Sequence, residues 1–413
     1  ALERLSGRPY SEVSELAERW LKSHDPLLTR IGTRWGLISR DDSWFLLGPE
    51  VSAESLRRFE QLAADVFAED DPLLELPPEE RWDASFRGKQ SRCSSVLRNG
   101  MAETLALLGA RPEGLRSATG AREIAPRVVQ KSLDNQPWLR WASLTSQLPL
   151  LAEAAPEQFL KAIERDLRQS NPAIARLFDD QGDPFFTSQP HTGLLWALEV
   201  LAWDRSLLAR VSLILARLDD LVPTMKTGNS PSRSLSEIFM PWLPQTTAPV
   251  EERVRVLSKL LKERTDAGWR LLVGLLPDQH QMSVPTARPK WRDWTLDWTP
   301  SVTRAAYWTQ VVESSRLLVQ DLGTDVARWE ALIANFENLP DPVRFEFVGR
   351  LGQFAETDLD QEQRRTLSEA LREKATHHRR FTDTDWALPP EEVSNLEHLR
   401  ERFEPEDPVR KWA

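Results

Sequence analysis

Gly193-Leu-Leu-Trp-Ala-Leu-Glu-Val-Leu-Ala-Trp203 runs directly into Asp204-Arg-Ser-Leu-Leu-Ala-Arg-Val-Ser-Leu-Ile-Leu-Ala-Arg-Leu218. Both segments are too long for ordinary strands, and their apolar residues recur at three- and four-residue spacings. The stretch therefore reads as two consecutive helices with almost nothing between them. Val250 to Lys262 followed by Asp266 to Leu276 repeats the plan, and each pair has an acid at its junction, Asp204 and Asp266.

Working outward, the pattern is helix after helix. Upstream, the spacing predicts Ser91 to Leu108, Arg122 to Leu133, Trp138 to Gln147 and Pro156 to Leu167, punctuated by Pro137, Pro149 and Pro156. Proline is tolerated in a first helical turn but breaks the hydrogen-bond ladder further in, so these prolines mark boundaries. Downstream come Thr303 to Gln320, Asp325 to Asn335, Pro342 to Phe354, Gln361 to His377 and Glu391 to Arg402. Helix pairs recurring at roughly 40 to 50 residues suit HEAT-type repeats, whose members bury their apolar faces by stacking on neighbours. The expected fold is all-α, a HEAT-like helical repeat array, or α-solenoid.

The first 75 residues differ. Ser11 can cap a helix through Leu21, and Ser52 a strong amphipathic helix through about Phe67. Between them, Leu27 to Ile38 contains Gly32 and Gly36 and places Ile31, Trp35 and Leu37 on one parity, which predicts short strands. Helices and strands together suggest a small winged-helix-like module over residues 1–75. A first repeat segment follows over 76–222 and a second over 223–413. Two connections in the second, 223–249 and 277–300, are too long for tight helical hairpins. The first holds a short helical stretch around Ser236 to Phe239; both keep aromatic residues and read as ordered.

Bulk properties narrow the function. The chain has 413 residues, 40% hydrophobic and 28% charged, as in folded proteins. No apolar stretch approaches the roughly 20 residues that cross a bilayer, and the greasiest run, Leu194 to Trp203, contains Glu199. With no signal-like start and a single cysteine, Cys93, the expectation is a cytoplasmic protein that touches no membrane. A net charge of −10 argues against a general grip on nucleic acid, which would need a local basic patch. The chain opens Ala1-Leu2-Glu3 and stops at Lys411-Trp412-Ala413; both ends read as cuts in a larger polypeptide.

Nothing matches a phosphate-cradling loop, a zinc-protease helix, a nucleophile elbow or a kinase set. No catalysis and no cofactor are expected. Cys93 reads as a small apolar residue rather than a nucleophile. Two clusters deserve a role. Arg288, Lys290 and Arg292 interleave with Trp291 and Trp294, a pattern suited to stacking on bases and contacting phosphate. The same tryptophans, with Trp298, also fit the core stripe of a short helix. With Asn229 and Arg233 from the other long loop, Arg288, Lys290, Trp291 and Arg292 are the candidate partner contacts. His377, His378, Arg379 and Arg380 end a helix. They either complement its dipole or bind an anion, while adjacent histidines point apart and make a poor metal pair.

Several stretches together carry a likeness: Asp25-Pro26-Leu27-Leu28 with Trp35 and Trp44 to Leu47; Ala102 to Gly109; Glu237 to Trp242; and His377 to Phe381 followed by Asp385 to Pro389. In these the chain resembles a helical-repeat region of very large bacterial multidomain proteins, some of them STAND-type NTPases or other antiphage defence proteins. The resemblance implies an NTPase or effector domain outside this segment and a sensing or assembly role for these helices. A protein partner, or another domain of the same polypeptide, is thus the expected ligand. The alternative is nucleic acid, held by the winged-helix-like region and the basic loops.

Overall fold

The computed structural model describes residues 1–32, 34–77, 80–81, 88–115, 118–179, 189–222, 229–278, 280–381, 384 and 386–404. Among these residues the chain forms 19 α-helices and one two-stranded hairpin. It is an all-α, multi-helix protein with a small N-terminal β-hairpin. Two compact units emerge, one comprising Ala1–Ser234 with Thr286–Trp298, the other Leu235–Pro285 with Thr299–Ala413.

In the first unit, α1 (Leu2–Ser6) and α2 (Tyr10–Leu21) precede β1 (Leu28–Ile31) and β2 (Arg34–Leu37). The strands pair antiparallel with Leu28 opposite Leu37, and Gly32 turns the corner at φ +63°. One expectation needs correction here. Pro9, not Ser11, precedes the helix, since its fixed backbone starts α2 at Tyr10. The short strands predicted here form a hairpin with its turn right after Ile31, which is 78% exposed, as Leu37 is at 41%. A helix absent from the sequence reading, α3 (Arg40–Leu47), follows, its Ser39 Oγ accepting the Asp42 N–H at 3.1 Å.

The remaining helices of this unit are α4 (Ala53–Phe67), α5 (Ser95–Ala110), α6 (Ala118–Leu133), α7 (Trp138–Ser143), α8 (Leu148–Ala154), α9 (Pro156–Asp166), α10 (His191–Ala202) and α11 (Leu208–Leu221). Ser52 caps α4 as expected, accepting the Ser55 N–H at 3.1 Å. The face of α4 that carries Leu56, Phe59, Leu62, Ala63 and Val66 is buried. Helix α8 packs on both α5 and α10. These approaches are close enough to require glycine: a Cβ on Gly109 of α5 would overlap the Ala154 carbonyl, and one on Gly193 of α10 the Thr145 carbonyl. Helix α6 begins four residues earlier than Arg122, and Pro126 sits inside it. Trp138 to Gln147 is not one helix; α7 stops at Ser143.

The two sequence-matched helix pairs differ at their junctions. Asp204 lies in a turn, its carboxylate accepting the Ser206 N–H at 2.9 Å, and α11 starts only at Leu208. Asp266 does sit in the first turn of its helix.

Helix α12 (Pro231–Phe239) is longer than the short stretch expected around Ser236 to Phe239 and leads into the second unit. That unit holds α13 (Val250–Glu263), α14 (Thr265–Gly274), α15 (Arg304–Gln320), α16 (Val326–Ala334), α17 (Asp341–Phe354), α18 (Gln361–Arg380) and α19 (Pro390–Phe403). Neighbours alternate along the chain: α13 packs on α15, α15 on α17, α17 on α19, and α16 on α18. Thr303 and Asp325 cap α15 and α16 with their side chains. Trp329 of α16 stacks on Phe354 of α17 at 4.5 Å between ring centroids and leans on Phe347. Burial of such rings is a large part of what holds α16 against α17.

Candidate functional site

The long connection 277–300 is where sequence reasoning placed most candidate contacts, and the structure engages them internally. In the first unit, residues 286–298 form an extended strap with one short 3-10 turn at Asp293–Thr295. Trp291, Trp294 and Trp298 are therefore not a helical stripe, because the backbone amides before Asp293 bond a carboxylate instead of a helical carbonyl. That carboxylate is Glu153 at the end of α8, only 1% exposed. It accepts the N–H groups of Lys290 at 2.9 Å, Trp291 at 2.7 Å and Arg292 at 3.1 Å. Burial pushes its pKa above the ordinary carboxylate range, while the three N–H groups and Arg292 pull it back.

A second buried acid holds the start of the strap. Glu199 on α10 accepts the Ala287 N–H at 2.8 Å and the Ser234 hydroxyl at 2.6 Å. Trp203 donates its indole N–H to the Ala287 carbonyl at 2.9 Å.

The strap side chains follow suit. Arg288 lies over Trp298 at 4.4 Å and over Trp203 at 5.2 Å, a cation between two rings that meet edge to face. Lys290 Nζ pairs with Glu103 at 2.5 Å. Trp291 is 5% exposed, and Arg292 donates Nε–H to the Glu153 carbonyl at 2.9 Å, with burial holding its pKa below the usual arginine value. From the other long loop, Asn229 donates to Thr192 Oγ1 at 3.1 Å, and Arg233 is exposed on α12 with its N–H bonded to Ser230. Arg288, Lys290, Trp291 and Arg292 are thus brought together in the strap; Asn229 and Arg233 belong to a different stretch of the unit.

The second cluster, at the end of α18, is divided by its geometry. His378 is fully buried and its Nδ1 accepts the Leu388 N–H at 3.2 Å. Burial drives its pKa down, opposed by Glu337, so it is held neutral. His377 is exposed but stacks on Trp386 at 5.3 Å and touches Phe381. Arg379 donates to Glu397 of α19, and Arg380 is exposed. The histidine pair thus holds the segment leading to Leu388 in place.

That segment forms one lip of a cavity within the second unit, with a volume of about 770 Å³. Its walls are aromatic and proline-rich: Trp242, Tyr307, Trp308 and Trp386, with Pro277, Pro340 and Pro389. Trp308 is 42% exposed and Trp242 39%. Trp242 donates to Gln281 at 3.2 Å. Asp278, Glu337 and Asp341 supply negative charge and Arg344 positive. Sequence reasoning missed this groove because its residues come from five separate stretches.

Among the described residues no grouping of three or more His, Cys, Asp or Glu could hold a metal ion, and no helix is long and apolar enough to cross a membrane. Cys93 is free, and burial together with Glu69 raises its pKa, the opposite of what a reactive thiolate needs.

No family model matches the chain, and no curated protein matches it. Among solved structures, the crystal structure of an engineered protein from a structural genomics consortium aligns over 88% of this chain and 88% of its own, at 15% identity and a TM-score of 0.24. At that score the likeness carries no argument.

Proposed function

We propose that the chain is a HEAT-like helical-repeat scaffold or sensor region of a larger bacterial protein, and that it acts in the cytoplasm by binding rather than by catalysis. Its ligand is a segment of a protein partner, or of an effector or NTPase domain in the same polypeptide, in a setting of antiphage defence. The observation that carries the binding role is the open aromatic groove of the second unit, where Trp242 and Trp308 stay well exposed beside a cavity of about 770 Å³. Large aromatic side chains that remain accessible in a concave site are what polypeptide recognition uses most. The alternating packing of α13, α15, α17 and α19 supports the repeat reading. The setting rests on the sequence resemblance alone.

The candidates in the strap play a different part in this reading. Their charges and amides are committed to Glu153, Glu103 and the Trp203–Trp298 pair, so the strap builds the first unit.

A photo-crosslinking residue at position 342, exposed on the groove wall, tests the binding role in the full-length protein. The expected result is an adduct that maps to one contiguous polypeptide segment and disappears when Trp242→Ala is added. Adducts scattered over unrelated sites, unaffected by Trp242→Ala, would remove the groove from consideration.

A further inference from the structure

We infer that the groove takes a polyproline II segment carrying an arginine or lysine, a conclusion that rests on the binding role proposed above. Three features of the groove select this chemistry over others.

The first is the kind of apolar surface that is accessible. An amphipathic helix docks its leucines and isoleucines on an aliphatic floor. Here the aliphatic lining residues Leu339 and Leu388 are 2% and 6% exposed, already spent on the core, and Val312 alone of the described leucine, isoleucine and valine lining is half-buried. What remains open is Trp308 and Trp242, flanked by proline edges. Flat rings spaced around a shallow groove suit the flat faces of a proline-rich helix with three residues per turn.

The second is hydrogen bonding. A polyproline II segment makes no internal hydrogen bonds, so its carbonyls need outside donors. Tyr307 and Trp308, packed edge to face at 5.1 Å, put a phenol and an indole N–H in the wall. Neither polar tip is committed to a partner among the described residues. Burial raises the Tyr307 pKa, which keeps its hydroxyl protonated and able to donate.

The third is charge. Arg344, the one cation among the described residues of the lining, is paired with Asp341 and lies 3.3 Å from Glu392. Glu337 is paired with Lys374 at 2.8 Å. Among the described residues the Asp278 carboxylate accepts only the backbone N–H of His280, at 2.8 Å, and so leaves its charge unbalanced. With three acids to one base in the wall, the groove favours a cationic side chain next to the prolines. The lip carrying Trp386 is set in advance by the His378–Leu388 bond and the His377 stack, which lowers the ordering cost of binding.

The test uses the whole chain and three labelled synthetic peptides read by fluorescence anisotropy: a short proline-rich peptide ending in arginine, the same peptide ending in glutamate, and an alanine-for-proline version that favours helix. The arginine peptide is expected to bind, the glutamate peptide about tenfold more weakly, and the alanine peptide not measurably. Trp308→Ala should weaken the arginine peptide at least tenfold, while thermal melting shows the variant folded. Asp278→Asn, which keeps an acceptor for His280, should narrow the gap between arginine and glutamate peptides, and added salt should narrow it too. Equal or tighter binding of the alanine peptide overturns the polyproline assignment but leaves the groove a polypeptide site. Failure of all three peptides with a positive position-342 crosslink also overturns it. Failure of both experiments ends the binding role itself.

Discussion

Replacing Glu153 by alanine isolates the energetics of the strap. The carboxylate accepts N–H groups from Lys290, Trp291 and Arg292 between 2.7 and 3.1 Å. Hydrogen bonds to an ionised acceptor contribute about 1.5–3 kcal/mol each, so the gross loss is large. Against it stands the several kcal/mol, in order of magnitude, that an ionised carboxylate costs on burial; the raised pKa shows that this penalty is felt. The difference is about 3 kcal/mol of destabilisation, in the range for removing one partner from a buried charged network. For a unit of this size that corresponds to a fall in melting temperature of about 6–12 °C. Glu153→Gln keeps a carbonyl acceptor while shedding the charge and its burial cost, and should lose about 1 kcal/mol. Urea unfolding measures both values, and hydrogen exchange at the Trp291 amide reports whether the strap itself is released. If Glu153→Ala lies within about 0.5 kcal/mol of the parent and Trp291 keeps its protection, the buried carboxylate is not what fixes residues 286–298.

Other expectations follow from the packing. Gly109→Ala drives a methyl group into the Ala154 carbonyl and should cost about 1–3 kcal/mol by thermal or chemical unfolding, more than the average surface glycine substitution. Asp166→Ala removes the acceptor for the Ala173 and Ile174 N–H groups, at 3.1 and 2.9 Å, and should cost about 1–2 kcal/mol in the same assay. Arg379→Ala breaks only an exposed pair with Glu397 and should change stability by less than about 0.5 kcal/mol. His378 gives a pH dependence with a definite sign. Its folded pKa lies below the ordinary histidine value of 6.5, so its contribution is complete above that pH and is lost as pH falls from there through the folded pKa. In that window the unfolded chain binds the proton and the fold, with Lys374 and His377 close by and Glu337 only partly compensating, resists it. His378→Asn, which can still accept the Leu388 N–H, should flatten the loss of stability as pH falls below 6.5. An unchanged slope would show that this histidine does not report the lip.

The helices were readable where local signals were strong. Ser52, Thr303 and Asp325 cap as their side chains dictate, and the apolar faces behind them set the core. What failed to read locally was settled by residues far apart in the chain. Trp291, Trp294 and Trp298 have helical spacing, but an acceptor 138 residues away from Trp291 captures the amides and holds the backbone extended. The anion-site candidates show the same limit. His378 looks like an exposed cation beside Arg379, yet burial under Trp386 and Leu388 turns it into a neutral acceptor. Glu153 and Glu199 carried the one usable clue, an acid inside an otherwise greasy run. The aromatic groove offered none, because its rings are contributed by stretches with no common pattern.

The return of Thr286–Trp298 to the first unit has a temporal side. A ribosome has delivered Ser234 well before it delivers Trp298, and at roughly 5–20 residues per second the sixty-odd residues between them take about 3–13 s. Through that interval Glu153 and Glu199 wait without their amide donors, beside helices whose other contacts already exist. The nascent chain therefore passes through a stage in which its first unit is assembled but unlatched, and any fragment ending near residue 234 would be trapped there for good.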